Sequence, residues 1–175
     1  FGTNTCRALA DFLQTDRTPD RICVVDRSAW EKLLPYLRGY TTEEGENRIL
    51  FEDPVTSVEV PYTSLLTAAV IDGILARYPF LKSGEIGKSV MGKPISYLEI
   101  GNGEKEVFYN ASFHANESIT TPVLLKFAEE YAQAYEKGTT LYGVPAAELF
   151  EEYRLFLVPL VNPDGVDLVN GLHTD

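Results

Sequence analysis

The chain has 175 residues, of which 45% are hydrophobic, 23% charged and 11% aromatic. This composition is typical of a packed globular protein and excludes a disordered, collagen-like or disulfide-scaffold chain. The formal net charge of −11 disfavours nucleic acid and anionic membrane as partners, because phosphate binding needs a basic surface. Two histidines, His114 and His173, exclude a histidine-rich metal site, and no apolar run is long enough to predict a membrane span.

Residues 1–38 predict a small helical module. One helix has an apolar face over residues 8–13, and a second begins at a capping box over residues 28–31. Two helices of this size bury little surface, so we expect a partial module that continues upstream. Cys6 and Cys23 form no zinc-binding spacing, and both a disulfide and two small core residues stay open as interpretations.

Residues 39–60 predict a linker. They contain Gly39, an acidic run at 43–46 and Pro54, which are features typical of a solvated loop. The formal charge is +1 over residues 1–40 and −12 over the remainder. This shift in composition also indicates a boundary near residue 40.

Residues 61–175 predict one α/β domain. Thr63 or Ser64 can cap its first helix, and we expect that helix to end before Pro79, because proline disfavours helical backbone in the residue before it. Strands that alternate with helices predict a sheet with helices on its faces, and the two most apolar strands are expected to be buried. The strands are 84–90, 95–100, 107–113 and 155–161, the last ending at an Asn162-Pro163-Asp164-Gly165 turn, and the further helices are 119–135 and 146–152.

A histidine and a glutamate follow the third predicted strand. His114 comes directly after the apolar run, and Glu117 opens the long helix. Ligand sites of open α/β sheets lie at the carboxyl ends of strands, where both side chains can face one point. Imidazole nitrogen and carboxylate oxygen are zinc ligands, and a catalytic zinc usually has three protein ligands and a water. The pair therefore predicts two zinc ligands, although the spacing alone also fits a favourably placed glutamate at a helix N-terminus.

Three stretches of the chain carry a family resemblance: residues 78–81 with 85–95, residues 113–117, and residues 158–166. In this order, they resemble the N-terminal half of the catalytic domain of zinc carboxypeptidases, the metallocarboxypeptidase A-like family. His114-Ala-Asn-Glu117 and the residues that follow it resemble in particular the bacterial γ-D-glutamyl-L-diamino acid endopeptidases, which cut peptidoglycan stem peptides. Residues 1–38 resemble the second half of a peptidoglycan-binding type 1 module.

The resemblance implies a fold, a cofactor and a reaction. The fold is a mixed sheet with helices on both faces, incomplete in this chain, and the cofactor is Zn²⁺, held by His114 and Glu117. The reaction is peptide hydrolysis, with γ-D-glutamyl-diamino acid bonds of peptidoglycan stem peptides as expected substrates and a bacterial cell wall as the expected extracytoplasmic location. The third ligand, the general base and the substrate-binding arginines are expected beyond Asp175. Residues 1–175 alone are therefore expected to be inactive and to hold zinc weakly.

Two alternatives stay open at this point. Ser118 stands where relatives often carry an aromatic residue, which keeps a non-catalytic peptidoglycan-binding protein with a degenerate peptidase-like domain in consideration. An acylase of the aspartoacylase type shares the His-x-x-Glu layout, but the segment 162–165 and the N-terminal module count against it. A later histidine and glutamate in the right order would favour the peptidase, and their absence would favour the binding protein.

Overall fold

In a computed structural model of the chain, residues 10, 27–34, 40–41, 48–49 and 54–172 are described. The first predicted helix apart from Ala10, both cysteines and His173 lie outside these residues, and the predicted division at 38/39 and 60/61 stays a prediction. The helices in the described part are α1 (Arg27–Leu33), α2 (Ser64–Arg77), α3 (Thr120–Glu136), α4 (Ala146–Glu152) and α5 (Pro163–Val169). The strands are β1 (Tyr40–Thr41), β2 (Arg48–Ile49), β3 (Lys82–Lys88), β4 (Pro94–Ile100), β5 (Lys105–Asn110), β6 (Thr140–Leu141), β7 (Val144–Pro145) and β8 (Tyr153–Val158).

The central sheet has four strands in the order β3-β4-β8-β5. Its first two pairs are antiparallel, whereas β5 runs parallel to β8. A parallel pair needs a crossover connection, and here the crossover contains α3 and α4. The sheet is therefore mixed, which confirms the predicted α/β class.

One face of the sheet carries the core. Leu98 lies opposite Leu157 and Ile100 opposite Leu155, and all four side chains are buried. They form one cluster with residues of α2 and α3 such as Ile74. Each fully buried side chain of this kind stabilises the fold by roughly 1.5–3 kcal/mol. The sheet and the two long helices thus form one rigid support for the strand ends.

Local sequence signals placed α2 correctly. The Thr63 side chain accepts a hydrogen bond from the Leu66 N–H at 3.1 Å, as expected of an N-cap. The helix ends at Arg77, two residues before Pro79. The predicted helices at 119–135 and 146–152 are likewise confirmed as α3 and α4.

The predicted buried strand at 107–113 is wrong in two respects. The strand β5 ends at Asn110, and it lies at the edge of the sheet, where β8 is its only partner among the described strands. The side chains of Phe108 and Tyr109 are 55% and 51% exposed. An apolar run indicates a strand but does not distinguish a central position from an edge, because that depends on neighbours distant in sequence.

The predicted capping box at 28–31 is also wrong. Helix α1 begins at Arg27, so Ser28 lies inside its first turn and is not the N-cap. Glu31 instead accepts a hydrogen bond from Arg27 Nε at 2.9 Å, one turn away. Arg27 also reaches Asp72 of α2, with Nη1 and Oδ2 2.8 Å apart.

The solvated-loop interpretation does not hold near residue 55. The backbone N–H groups of Val55 and Thr56 donate to the two carboxylate oxygens of Glu129 at 2.6 and 2.9 Å. Glu129 belongs to α3 and is only 4% exposed. These hydrogen bonds hold the segment before α2 against the helical layer.

Candidate metal centre

A tight corner connects β5 to α3. Ser112, just after the strand, has a φ of 49°, in the left-handed region that a residue with a Cβ seldom adopts. His114 follows in extended backbone, with φ −97° and ψ 139°. Residues Ala115–Glu117 then form one 3₁₀ turn, in which the Glu117 N–H donates to the His114 carbonyl at 3.0 Å. Residues 114–117 are called the metal turn below.

Polar side chains hold the corner in this conformation. The N–H of Ser112 donates to Thr120 Oγ1 at 2.8 Å, and the Ser112 hydroxyl lies 2.7 Å from Thr121 Oγ1. Thr121 in turn donates to the Pro159 carbonyl at 2.6 Å, at the end of β8. Buried polar groups that are fully hydrogen-bonded specify one conformation, so this network compensates the strained backbone of Ser112.

The two predicted ligands lie next to each other. His114 Nδ1 and Glu117 Oε1 are 3.0 Å apart, and the side chains are 69% and 48% exposed. Two donors that each lie roughly 2.0–2.2 Å from one zinc ion cannot be more than about 4 Å apart, and the observed spacing satisfies this limit. The imidazole also packs edge-on against Phe113, with ring centroids 5.5 Å apart.

The donor set of the metal turn fits part of a zinc site. One imidazole nitrogen and one carboxylate oxygen supply two of the three protein ligands that a catalytic zinc usually has. Within residues 54–172, no group of three or more His, Cys, Asp or Glu side chains could hold a metal ion. The assignment of His114 and Glu117 as ligands therefore stays a prediction, and the described part of the chain supplies no third ligand.

The predicted turn at 162–165 is the start of a helix. The Asn162 side-chain oxygen accepts a hydrogen bond from the Gly165 N–H at 2.9 Å, and Pro163 occupies the first helical position. Asn162 therefore shapes the local fold as the N-cap of α5. Asparagine followed by proline is a helix-start signal that could have predicted α5 from the sequence.

Two carboxylates fasten α5 to other elements. Asp164 accepts hydrogen bonds from Ser89 Oγ and the Met91 N–H, both at 2.9 Å, in the turn between β3 and β4. Asp167 accepts from the Ser64 N–H at 2.7 Å, from the Ser64 hydroxyl, and from Lys93 Nζ at 2.6 Å. Burial acts to raise the pKa of Asp167, but the hydrogen bonds from Lys93 and Ser64 outweigh it and hold that pKa below its ordinary value.

Sequence reasoning missed the residues that support the metal turn. Ser112, Thr120 and Thr121 look like ordinary polar residues beside a helix start, and Gly165 looks like a turn glycine. The hydrogen-bond partners that join the three hydroxyl residues to one another and to Pro159 are 8 to 38 residues away in sequence, and Gly165 lies against Ala115, 50 residues away, so no local pattern identifies these contacts. Ser118, noted for its departure from relatives, accepts a backbone hydrogen bond from the Thr121 N–H at 3.3 Å.

Comparisons with known proteins show the family of the chain. A family model described as Zinc carboxypeptidase matches residues 67–174. Gamma-D-glutamyl-L-diamino acid endopeptidase 1 of Lysinibacillus sphaericus is 50% identical over 95 residues, which are 54% of this chain and 24% of that protein. The uncharacterized protein YqgT of Bacillus subtilis (strain 168) is 50% identical over 165 residues, which cover 83% of this chain and 44% of that protein. The chain thus spans less than half the length of either relative.

A solved structure supports the same fold. The carboxypeptidase A from Helicoverpa armigera matches with a TM-score of 0.53 and 18% identity, covering 97% of this chain and 48% of that chain. At this identity the likeness concerns the fold alone.

Among the described helices, none combines the length and the apolar character needed to cross a bilayer.

Proposed function

The chain belongs to the zinc carboxypeptidase family, whose cofactor is Zn²⁺, and from this premise we propose that the complete protein is a metallopeptidase in which His114 and Glu117 hold the metal. The observation that carries the proposal is the 3.0 Å approach of His114 Nδ1 to Glu117 Oε1 at the carboxyl end of β5. Ligand sites of α/β sheets lie at such strand ends.

The roles of the two side chains follow from their chemistry. When bound, zinc supplies Lewis acidity toward a water and a peptide carbonyl. His114 binds through its neutral imidazole, and Nδ1 is the nitrogen that faces Glu117. Glu117 binds through a carboxylate that lowers the positive charge at the site. In this chain the two side chains are 69% and 48% exposed, so a metal ion can reach both of them.

The proposed substrate is the γ-D-glutamyl-diamino acid bond of peptidoglycan stem peptides. Half of the aligned residues are identical to those of the Lysinibacillus sphaericus protein named for that bond. The resemblance of residues 1–38 to a peptidoglycan-binding module agrees with an extracytoplasmic location at the bacterial cell wall. The acidic net charge of −11 disfavours anionic polymers such as nucleic acid as substrates.

A cleavage assay on the complete protein tests the proposal. The substrate is a synthetic stem peptide with a D-glutamate joined through its γ-carboxyl to a diamino acid, and the matched control peptide carries an α-linked L-glutamate. We expect cleavage of the γ-linked peptide, its loss with a chelator, and its recovery with zinc. His114→Ala and Glu117→Gln should abolish cleavage, whereas Glu104→Gln, at an exposed position in the turn before β5, should leave it unchanged.

The same assay separates the alternatives. Binding of peptidoglycan without any released peptide would contradict the peptidase and support the non-catalytic binding protein. Cleavage of the α-linked peptide at an equal rate would keep the metallopeptidase but overturn the proposed substrate. Activity that survives chelation and the His114→Ala substitution would overturn the metal assignment itself.

A further inference from the structure

The first turn of α5 lies directly against the metal turn. A Cβ atom placed on Gly165 would come within 2.8 Å of the Ala115 Cβ and within 2.6 Å of Asn162 Nδ2. Real Cβ atoms do not approach other carbon atoms this closely, so any side chain at residue 165 would push the metal turn or the Asn162 amide aside. The absence of a Cβ at Gly165 is therefore what lets α5 pack at this distance.

Asn162 joins the two elements through both ends of its amide. Its Oδ1 accepts the Gly165 N–H at 2.9 Å and so begins α5. Its Nδ2 lies 3.4 Å from the Phe113 carbonyl, to which it donates, and Phe113 is the residue before His114. Its backbone N–H donates to the Ser112 carbonyl at 3.2 Å. One residue thus fixes the helix start and the backbone that leads into the metal turn.

The helix cannot easily retreat from this contact. Asp164 holds the turn between β3 and β4, and the buried Asp167 binds Ser64 at the start of α2 and Lys93 just before β4. These hydrogen bonds anchor α5 to the rest of the domain independently of the metal turn. A displacement at the contact is therefore expected to move the smaller and more exposed element, which is the metal turn.

We propose that Asn162 and Gly165 are positioning residues that set the placement of His114 and Glu117 for metal binding. The proposal rests on the proposed function, because it presupposes that these two side chains bind the metal. Neither Asn162 nor Gly165 is a ligand in it. They act through the backbone of Phe113 and through the Cβ of Ala115. Groups that orient metal ligands typically change metal affinity by about 10–100-fold when they are removed.

The first test separates the two functions of the Asn162 amide. Asn162→Asp keeps an oxygen that can accept the Gly165 N–H and removes the donor to Phe113. We expect zinc affinity of the complete protein, measured by competition with a chromogenic chelator, to fall about 10–100-fold. The melting temperature of the metal-free protein should not fall, because aspartate is also a good N-cap. The attraction between the added negative charge and the zinc ion would by itself strengthen metal binding, so a fall would occur in spite of it.

Asn170→Asp is the matched control on the same helix. The Asn170 amide donates to the Tyr62 and Val166 carbonyls at 3.1 and 2.8 Å, at the end of α5 away from the metal turn. A negative charge at a helix C-terminus is unfavourable, so this variant should lose thermal stability and keep its zinc affinity. If Asn162→Asp and Asn170→Asp change zinc affinity equally, the positioning role is wrong.

The second test uses the contact between Gly165 and Ala115. Gly165→Ala should weaken zinc binding and alter the visible spectrum of the Co²⁺-substituted protein. Ala115→Gly removes the atom that the new Cβ would meet. The double variant should therefore bind zinc at least about threefold more tightly than additive free-energy effects of the two single substitutions would predict. The recovery is partial because Asn162 Nδ2 stays crowded. Additive effects would overturn the proposal.

The wild-type protein and His114→Ala distinguish the two levels of failure. If His114→Ala leaves zinc affinity unchanged, the proposed function fails. If His114→Ala abolishes zinc binding while Asn162→Asp and Gly165→Ala bind zinc as tightly as the wild type, the metal assignment stands and the positioning role alone fails. These readouts are metal affinity and a spectrum, and they do not depend on catalytic activity.

Discussion

The guanidinium of Arg77 and the carboxylate of Glu129 lie 3.4 Å apart, and both side chains are almost fully buried. Arg77 ends α2 and Glu129 lies in the middle of α3, so the ion pair joins the two long helices. The same carboxylate accepts the N–H groups of Val55 and Thr56. One buried acidic side chain therefore connects three parts of the chain.

We predict that Glu129→Ala destabilises the protein severely. The substitution leaves the Arg77 charge without this carboxylate and two backbone N–H groups without acceptors, and breaking a buried pair costs about 3–5 kcal/mol. Glu130→Ala is the matched control, because Glu130 makes an exposed pair with Lys126 at 3.1 Å that is worth at most about 0.5 kcal/mol. Urea titrations measure the free energies of unfolding of the two variants and of the wild type. Similar losses for the two variants would contradict this role of Glu129.

The contrast between α2 and the segment at residue 55 shows what local sequence could predict. Thr63 and Pro79 act on their own neighbours, so the start and end of α2 followed from the sequence. Val55 and Thr56 look like linker residues because their acceptor, Glu129, is more than 70 residues away. A charged residue in an amphipathic helix is normally interpreted as exposed, and no local pattern marks Glu129 as buried.

We predict that acid removes a stabilising contribution of Asp167. Because hydrogen bonds hold its pKa in the folded protein below the unfolded value of about 3.9, the contribution is complete above that value and is lost as the pH falls through the folded pKa. Asp167→Asn should therefore lower the free energy of unfolding at pH 7 by roughly 1.5–3 kcal/mol, and the difference from wild type should shrink toward pH 3. Glu104→Gln should show no comparable pH-dependent difference in urea titrations.

We predict that Gly101→Ala is far more harmful than Gly87→Ala. Gly101 has a φ of 95°, and a Cβ there would overlap the Tyr153 carbonyl oxygen. The strained backbone and the steric conflict together should cost about 2–6 kcal/mol. Gly87 lies in β3, where a Cβ would meet no atom within 4 Å, so its replacement should change the melting temperature little. Equal melting temperatures for the two variants would show that the turn after β4 can relax.

In the metal turn, too, some features could be predicted from neighbouring residues, whereas others depend on contacts that are distant in sequence. The residue types and the spacing of His114 and Glu117 were readable from the sequence, and the structure brings the two side chains together. The edge position of β5, the strained Ser112 and the contact from α5 were not readable, since each depends on residues brought together by folding. Asn162 and Pro163 are the exception, because an N-cap followed by proline is a local signal for α5.

The last prediction concerns the 175-residue chain by itself. Two ligands define a site incompletely, so we expect this chain to bind zinc weakly. The dissociation constant should be about 1 µM or larger, which corresponds to a binding free energy of roughly −8 kcal/mol or less favourable. His114→Ala and Glu117→Gln should each weaken even this binding, whereas Glu130→Ala should not. Isothermal titration calorimetry measures the zinc dissociation constants of all four proteins. The titrations are done at neutral pH because zinc binding needs a neutral imidazole. Tight binding of one zinc per chain would contradict the prediction and would require a further ligand within the 175 residues.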